Sequence, residues 1–574
     1  RWGILPVVIA TLILTAVGFL LRRALSRWMG PTLAAKDRGM TRWAAAGVVV
    51  AALAIGARMV AMIGVPSNIS QTYDNVFHLN TIRYILDSGI ASSLSLSGFP
   101  PSGLERAGFY PAGWHDLTSL VAQVSGASIP VSVSAVTLVI GAVLWPLGFV
   151  FLVRRRFTLV ASGIIAAGMA GFPYLMMDFG VLYPFLLGLS LLPAVWALCI
   201  HALKLGRENS LSFTACVVAL AFALPGISLA HPSATTTLIV LCGPLVLVAM
   251  IRRHREMAGL GVHWPRIAGM YVLAAAGLVL VGVLFRKIQP GNVWKPESSW
   301  PDAFLQLLLT APAETGVAIV SSILLAVGLV VLVVRRSTLW LPLSWLVFAI
   351  LFLVGAAASS QRLRVALIGL WYGDVFRVTA ILAIVGAPLM VLGLVWLTDR
   401  MRCRIVSLGT GRVAPVTAGV TLLVTLLAMQ LSNLPTITEL GREDYAMNAQ
   451  SKLLTPDEEA LLNEVDEFVP VEKKIIGNPW TGTPLVYAYS NRVPVLSRPG
   501  VSDLRVSAVS QRLQYAASDP AVCEEVAKYD IGFVLDFGDE EVHEDHHEYS
   551  GLRNLNSNPS VVLVKQIGAA SLWK

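Results

Sequence analysis

The chain has 574 residues, 55% of them hydrophobic and only 14% charged, with a formal net charge of +8. Soluble proteins carry about a quarter charged residues, so this composition excludes an ordinary soluble enzyme and points to a membrane protein. The basic excess lies before Asn433, and from Asn433 onward 22 Asp and Glu outnumber 12 Lys and Arg. Basic residues beside apolar spans reflect retention on the cytoplasmic side, so no nucleic acid is implied.

A bilayer span needs roughly 17 to 25 mostly apolar residues. About twelve stretches qualify, near 3–21, 43–63, 131–153, 157–175, 181–203, 211–230, 234–251, 266–285, 315–334, 338–358, 377–397 and 413–431. Basic residues follow alternate stretches, from Arg22 and Arg23 through Lys204, Arg252, Arg253, Arg335 and Arg336 to Arg400, Arg402 and Arg404. Placing these in the cytoplasm puts the loop at 64–130, the turns near Asp178 and His231, the loops at 287–314 and 359–376, and everything after Asn433 on the outer side. The expected architecture is a polytopic α-helical transmembrane domain over 1–432 followed by an extracytoplasmic α/β domain over 433–574, in a multi-pass plasma-membrane protein. The first stretch reads as a retained anchor, because basic residues follow it and a small-residue cleavage site does not. Five cysteines without a CxxC pair indicate neither a disulfide framework nor a thiolate metal site.

The loop at 64–130 carries Thr72-Tyr73-Asp74-Asn75-Val76-Phe77-His78 and, later, Phe109-Tyr110-Pro111-Ala112-Gly113-Trp114-His115-Asp116. A carboxylate just outside the membrane, Asp74, suits a general base that takes a proton from an attacking hydroxyl. It equally suits the cap of a short helix starting at Asn75, and the two roles are compatible. His78, four residues on, shares a helical face with Asp74 and serves either as phosphate ligand or as structural hydrogen-bond partner; His115 presents the same choice. Their spacing matches no tight metal motif, so neither metal nor cofactor is expected, with a divalent ion as the minor alternative.

Cations for an anionic ligand come from Arg364, Arg377 and Lys295 in outer loops and from Arg58 near the outer end of the second stretch, where it can snorkel. Arg377 is favoured, closing Trp371-Tyr372-Gly373-Asp374-Val375-Phe376-Arg377 beside aromatics and an acid, with Tyr372 as a further contact. His231-Pro232-Ser233 ends a stretch on the same side and suits a lipid phosphate. Trp294, Trp300 and Trp371 read as interfacial belt residues.

In the last 140 residues or so, Thr455-Pro456-Asp457-Glu458 forms a capping box that opens a helix to about Phe468. Strands are expected at Lys474–Ile476, Val493–Leu496, Ile531–Leu535 and Val561–Val564, with a helix after Asp519-Pro520. This alternation predicts a small, mostly parallel sheet. Asn478-Pro479-Trp480-Thr481-Gly482-Thr483 suits a turn presenting backbone N–H groups and an aromatic ring to a sugar or phosphate. The run from Glu540 to Glu548, with His543, His546 and His547, reads as a solvated acidic loop.

An acid in the first large outer loop, two short juxtamembrane helices within it, many spans and an external C-terminal domain together resemble the GT-C glycosyltransferases. These are integral membrane enzymes that take a sugar from a polyprenyl phosphate or diphosphate. More narrowly, Tyr73-Asp74 through Asn80, Tyr110 through His115, His231-Pro232, Trp371 through Arg377 and Gly477 through Gly482 resemble an actinobacterial family of multi-spanning proteins grouped with that fold. The resemblance implies that Asp74 matches the first-loop acid that deprotonates the acceptor, and that Arg377 matches donor-phosphate ligands by position. Asn75 stands where some members place a second acid. The implied function is transfer of a sugar, arabinofuranose or mannose, from a polyprenyl-phosphate donor to a cell-envelope glycan or glycolipid in the lipid bilayer's outer leaflet, serving cell wall biogenesis. The rival readings are a transporter or flippase for a lipid-linked saccharide and a non-catalytic scaffold of envelope synthesis.

Overall fold

Helices occupy all twelve apolar stretches. Each is apolar around its circumference, and a backbone withdrawn from water must satisfy its hydrogen bonds within the segment. The computed structural model describes residues 1–574 except 30–37, 98–107, 154–155, 207–210, 262–263, 287–293, 314, 337, 408–413, 499–505, 543–546 and 548. His543 and His546 thus lie outside the described residues.

Eight of the described helices are long and apolar enough to cross a membrane, making this a multi-pass membrane protein: Ile4–Ala24, Met40–Ile63, Ile129–Val153, Tyr183–Ala202, Phe213–Ala230, Pro232–Gly259, Trp340–Ala357 and Val375–Arg404. A ninth results if Val416–Leu431 and Leu434–Asp444, bent by 44°, are one span. Two further apolar helices, Thr158–Ala167 and Ile319–Arg335, are shorter. The first of these stops where Gly168, Gly171 and Pro173 follow, since proline lacks an N–H and disfavours helix at the residue before it. Pro184 sits in the first turn of Tyr183–Ala202, where proline is tolerated, and Pro225 lies inside the unbroken helix Phe213–Ala230. Neither marks a discontinuous helix of the kind transporters use at mid-membrane.

Small residues bring helix backbones into contact, as expected where lipid supplies little hydrophobic drive for association. A Cβ at Gly163 would come within 2.0 Å of the Gly47 carbonyl oxygen, and one at Gly328 within 2.0 Å of the Leu389 carbonyl oxygen. These contacts lock Arg38–Ile63 against Arg156–Ala167, and Ile319–Arg335 against Val375–Ser407.

The loop after the second span folds into two short helices, Asp74–Ser88 and Gly113–Ser125. The C-terminal part contains the helix Pro456–Phe468 with its capping box formed, and the helix Pro520–Tyr529 capped by Asp519. Its four-stranded sheet runs β1 (Lys474–Gly477), β2 (Ile531–Asp536), β4 (Ala570–Trp573), β3 (Leu563–Ile567) in space. Only β1 and β2 are parallel; β2 with β4 and β3 with β4 are antiparallel. The expected mostly parallel sheet is therefore mixed, because Gly568, with φ +56°, turns the chain straight back into β4 instead of through a crossover. Val493–Leu496 forms no strand and makes one isolated parallel bridge, Ile475 with Pro494.

This C-terminal part is fastened to the loop helix Asp74–Ser88 and the residues just before it by polar side chains. Gln71 Oε1 accepts from the Leu453 and Leu454 N–H groups at 3.0 and 2.8 Å. Asn80 donates to the Pro484 carbonyl at 2.9 Å and accepts from the Ala488 N–H at 3.0 Å. Arg83 donates to the Ala488 carbonyl at 2.8 Å.

Candidate functional site

A cavity of about 420 Å³ lies where these pieces meet, within the range typical of ligand sites. Its walls come from six segments, contributing Asp74, Tyr110, Phe185, His231, Arg377 and Arg498 among others. The distribution of basic residues assigns Asp74, Tyr110, His231 and Arg377 to one side of the membrane, and Arg498 comes from the C-terminal part.

Asp74 is exposed in the first turn of its helix, where the helix dipole favours a negative charge. The helix begins one residue earlier than expected, so Asp74 is inside the first turn and not at the cap. Gly180, with φ +63°, passes beside it, and a Cβ there would lie 3.9 Å from Asp74 Oδ2.

The opposite wall begins with two successive left-handed residues, Tyr372 (φ 62°) and Gly373 (φ 68°). For tyrosine this backbone costs on the order of 1 kcal/mol. It directs the ring to 4.5 Å from Arg377 Cζ. Buried Asp374 then accepts from the Phe376 N–H at 2.7 Å and pairs with Arg377 Nε at 3.0 Å, so one carboxylate both caps the helix and orients the guanidinium.

The histidines are held neutral. Burial, reinforced by Arg377, pushes His231 well below the usual imidazole range. Its Nδ1 accepts from the Ser233 N–H at 3.1 Å, which places the ring proton on Nε2. That Nε2–H faces Arg377 Nη1 at 3.5 Å. Both groups are donors, and an anionic oxygen set between them would satisfy the two together. His78 is pushed down to about 3, chiefly by burial, and its Nδ1 lies 2.9 Å from His115 Nε2. Tyr110 is raised, first by burial and then by the Asp74 charge, with Arg377 and Arg498 opposing, so it lies within the field of all three.

Of the residues singled out in the sequence, Asp74, His78, His231, Tyr372 and Arg377 line the cavity together. His115 does not; it stands behind His78, stacked at 5.1 Å between ring centres. Arg364 is buried and donates to the Trp294 and Gly373 carbonyls, bracing the Tyr372–Gly373 turn from behind. Arg58 donates to Gln430 and Thr438, away from the cavity. Lys295 is exposed and does not line it. Trp371 is no belt residue: it is buried and donates to Thr237 Oγ1 at 3.0 Å. His547 is bound to buried Glu541 at 2.6 Å and stacks on Trp480 at 3.8 Å, so this end of the acidic run is folded in. Trp480 in turn reaches Tyr73 at 5.6 Å, bringing the Asn478–Thr483 turn beside Asp74. Among the described residues, no group of three His, Cys, Asp or Glu side chains is placed to hold a metal ion. Arg498 was not legible in the sequence, since it reaches the site only through tertiary packing.

A family model described as "Family of unknown function (DUF6541)" matches residues 1–574. The chain belongs to this family. No curated protein sequence matches this DUF6541 protein. Two solved structures of the Archaeoglobus fulgidus oligosaccharyltransferase are similar to it, each at 11% identity. The form tethered to an acceptor peptide gives a TM-score of 0.54, covering 86% of this chain and 69% of that one; the apo form gives 0.53, covering 87% and 70%. The likeness is one of fold, and the GT-C fold implied by the sequence resemblance is the fold found.

Proposed function

We propose that this protein is a glycosyltransferase that moves a sugar from a polyprenyl-phosphate donor to a hydroxyl of a cell-envelope glycan or glycolipid on the outer face of the plasma membrane, where its C-terminal domain also lies. The observation that carries the reading is one cavity presenting Asp74 on one wall and the Arg377–His231 donor pair on another. In this scheme Asp74 accepts the proton of the acceptor hydroxyl, whose oxygen bonds to the anomeric carbon. The bond from that carbon to the phosphate oxygen breaks with its electron pair, and polyprenyl phosphate departs. The negative charge lost at Asp74 thereby appears on the phosphate, where the Arg377 and His231 N–H groups meet it. Tyr73, Phe77, Tyr110 and Tyr372 supply aromatic faces for the sugar. No step calls for a metal or cofactor. The fold shared with an oligosaccharyltransferase supports lipid-linked donor chemistry as an analogy, since fold alone does not fix function.

Asp74→Asn, assayed in purified protein with polyprenyl-phosphate arabinofuranose and mannose, should lower turnover by at least about a hundredfold. Full activity in that variant would remove Asp74 from the mechanism. Labelled lipid-linked sugar crossing sealed vesicles without product would instead establish a transporter.

A further inference from the structure

The charges around the cavity do not balance for an anionic donor on the transmembrane part alone. Among the lining residues there, Asp74 is the one carboxylate and Arg377 the one cation, while burial holds His78 and His231 below the usual imidazole range. Arg377 is moreover already matched by Asp374 at 3.0 Å, and Asp374 is almost fully buried. A polyprenyl phosphate entering such a cavity would find no net positive charge on these walls.

The C-terminal part supplies the missing charge. Its segment 493–495 is strapped to β1, with the Val495 N–H donating to the Ile475 carbonyl at 2.8 Å and the Ile475 N–H to the Val493 carbonyl at 3.1 Å. Ser497 is buried, and Arg498 extends from there to line the cavity, its guanidinium 5.9 Å from the centre of the Phe77 ring. The Arg498 charge acts on both Tyr73 and Tyr110, the aromatic residues around Asp74.

We infer that Arg498 is the second cation of the donor-phosphate site, so that the globular C-terminal part completes the site for the leaving group and does not serve the acceptor alone. This assignment rests on the donor reading above. It has a chemical reason: the leaving phosphate gains a second negative charge as the sugar departs, and two guanidinium groups offset that charge better than one.

Direct binding of a polyprenyl monophosphate without sugar, measured on the full chain in detergent, tests the assignment apart from turnover. Arg498→Gln should weaken binding about tenfold or more, the effect of losing a charge-assisted contact, with an unchanged melting temperature. Arg442→Gln, at an exposed residue paired with Glu439, should bind as the unaltered protein does. Equal binding by Arg498→Gln and the unaltered protein would overturn the assignment and leave the donor reading standing. Absence of binding by the unaltered protein would overturn both. If Arg498→Gln does not fold, the salt dependence of the unaltered protein decides: affinity should fall as salt rises, and salt-independent binding would overturn the two-cation site.

Discussion

Arg58 and Arg377 carry the same side chain into the helical part of the molecule, and their surroundings differ in kind. The Arg58 donors meet neutral oxygens of Gln430 and Thr438, and Gln430 in turn donates to the Ala167 carbonyl at 2.9 Å. This network pins the bend between Ala414–Leu431 and Leu434–Asp444 to the second span. Arg377 meets a carboxylate on one side and, on the other, a second donor at 3.5 Å. An arginine enclosed by protein acceptors acts as a brace. One aimed at another donor across a cavity is arranged for an anion that the chain does not itself provide.

The widest separation between the two should appear on substitution. Arg377→Gln is expected to lower turnover of a lipid-linked sugar by about a hundredfold or more in the folded fraction, and to lower the melting temperature as well because buried Asp374 loses its partner. Arg58→Met should affect stability alone: it leaves the half-buried acceptors of Gln430 and Thr438 without their donor, lowering the melting temperature by the equivalent of about 1 kcal/mol or more while the folded fraction keeps its kcat/KM. Matched losses of activity in both variants would erase the contrast.

A smaller effect follows from protons. His78 is pushed down to about 3, and His115 and His231 lie well below the usual imidazole range, all chiefly by burial. Folding then favours the neutral rings. The stability they contribute is present above the unfolded value near 6.5 and is lost as pH falls from there toward the folded value. Melting in detergent should therefore drop between about pH 7 and pH 5, and His78→Gln with His115→Gln should flatten that slope. A pH-independent melt would show these rings charged or exposed.

The smallest effect concerns Asp116, pushed up to about 8 by burial, its Oδ1 without a hydrogen-bond partner. Here folding favours the protonated form, so stability is lost as pH rises from the unfolded value near 4 toward 8. Asp116→Asn should be neutral or stabilising by up to about 1 kcal/mol at pH 7, measured by thermal melting. A marked loss would reveal a role for the carboxylate.

How much of this was legible depended on how local each signal is. The helix Pro456–Phe468 was readable to the residue because Thr455 and Glu458 satisfy each other's backbone donors within one turn. The helices over the apolar stretches were readable because a nonpolar surround demands them. Asp74, His231 and Arg377 were readable as candidates because the placement of basic residues assigns all three segments to one side of the membrane. The order of the sheet was not, since the return at Gly568 is a two-residue decision hidden in a run of β-forming residues. Trp371 looked interfacial, and only packing against Thr237 shows it to be interior. Tyr372 lies in a left-handed turn that no residue preference announces, held by Arg364 reaching back to the Gly373 carbonyl.

The amide clasps of Gln71 and Asn80 have a mechanical corollary. Because each grips main-chain atoms more than 380 positions away along the polypeptide, the bilayer-embedded half and its globular cap move as one body around Asp74. Of the aromatic rings that line the cavity, Phe109 and Tyr372 are left the most exposed, at 58% and 48%, so what this fastened frame leaves open to solvent is bordered by side chains and not by main chain.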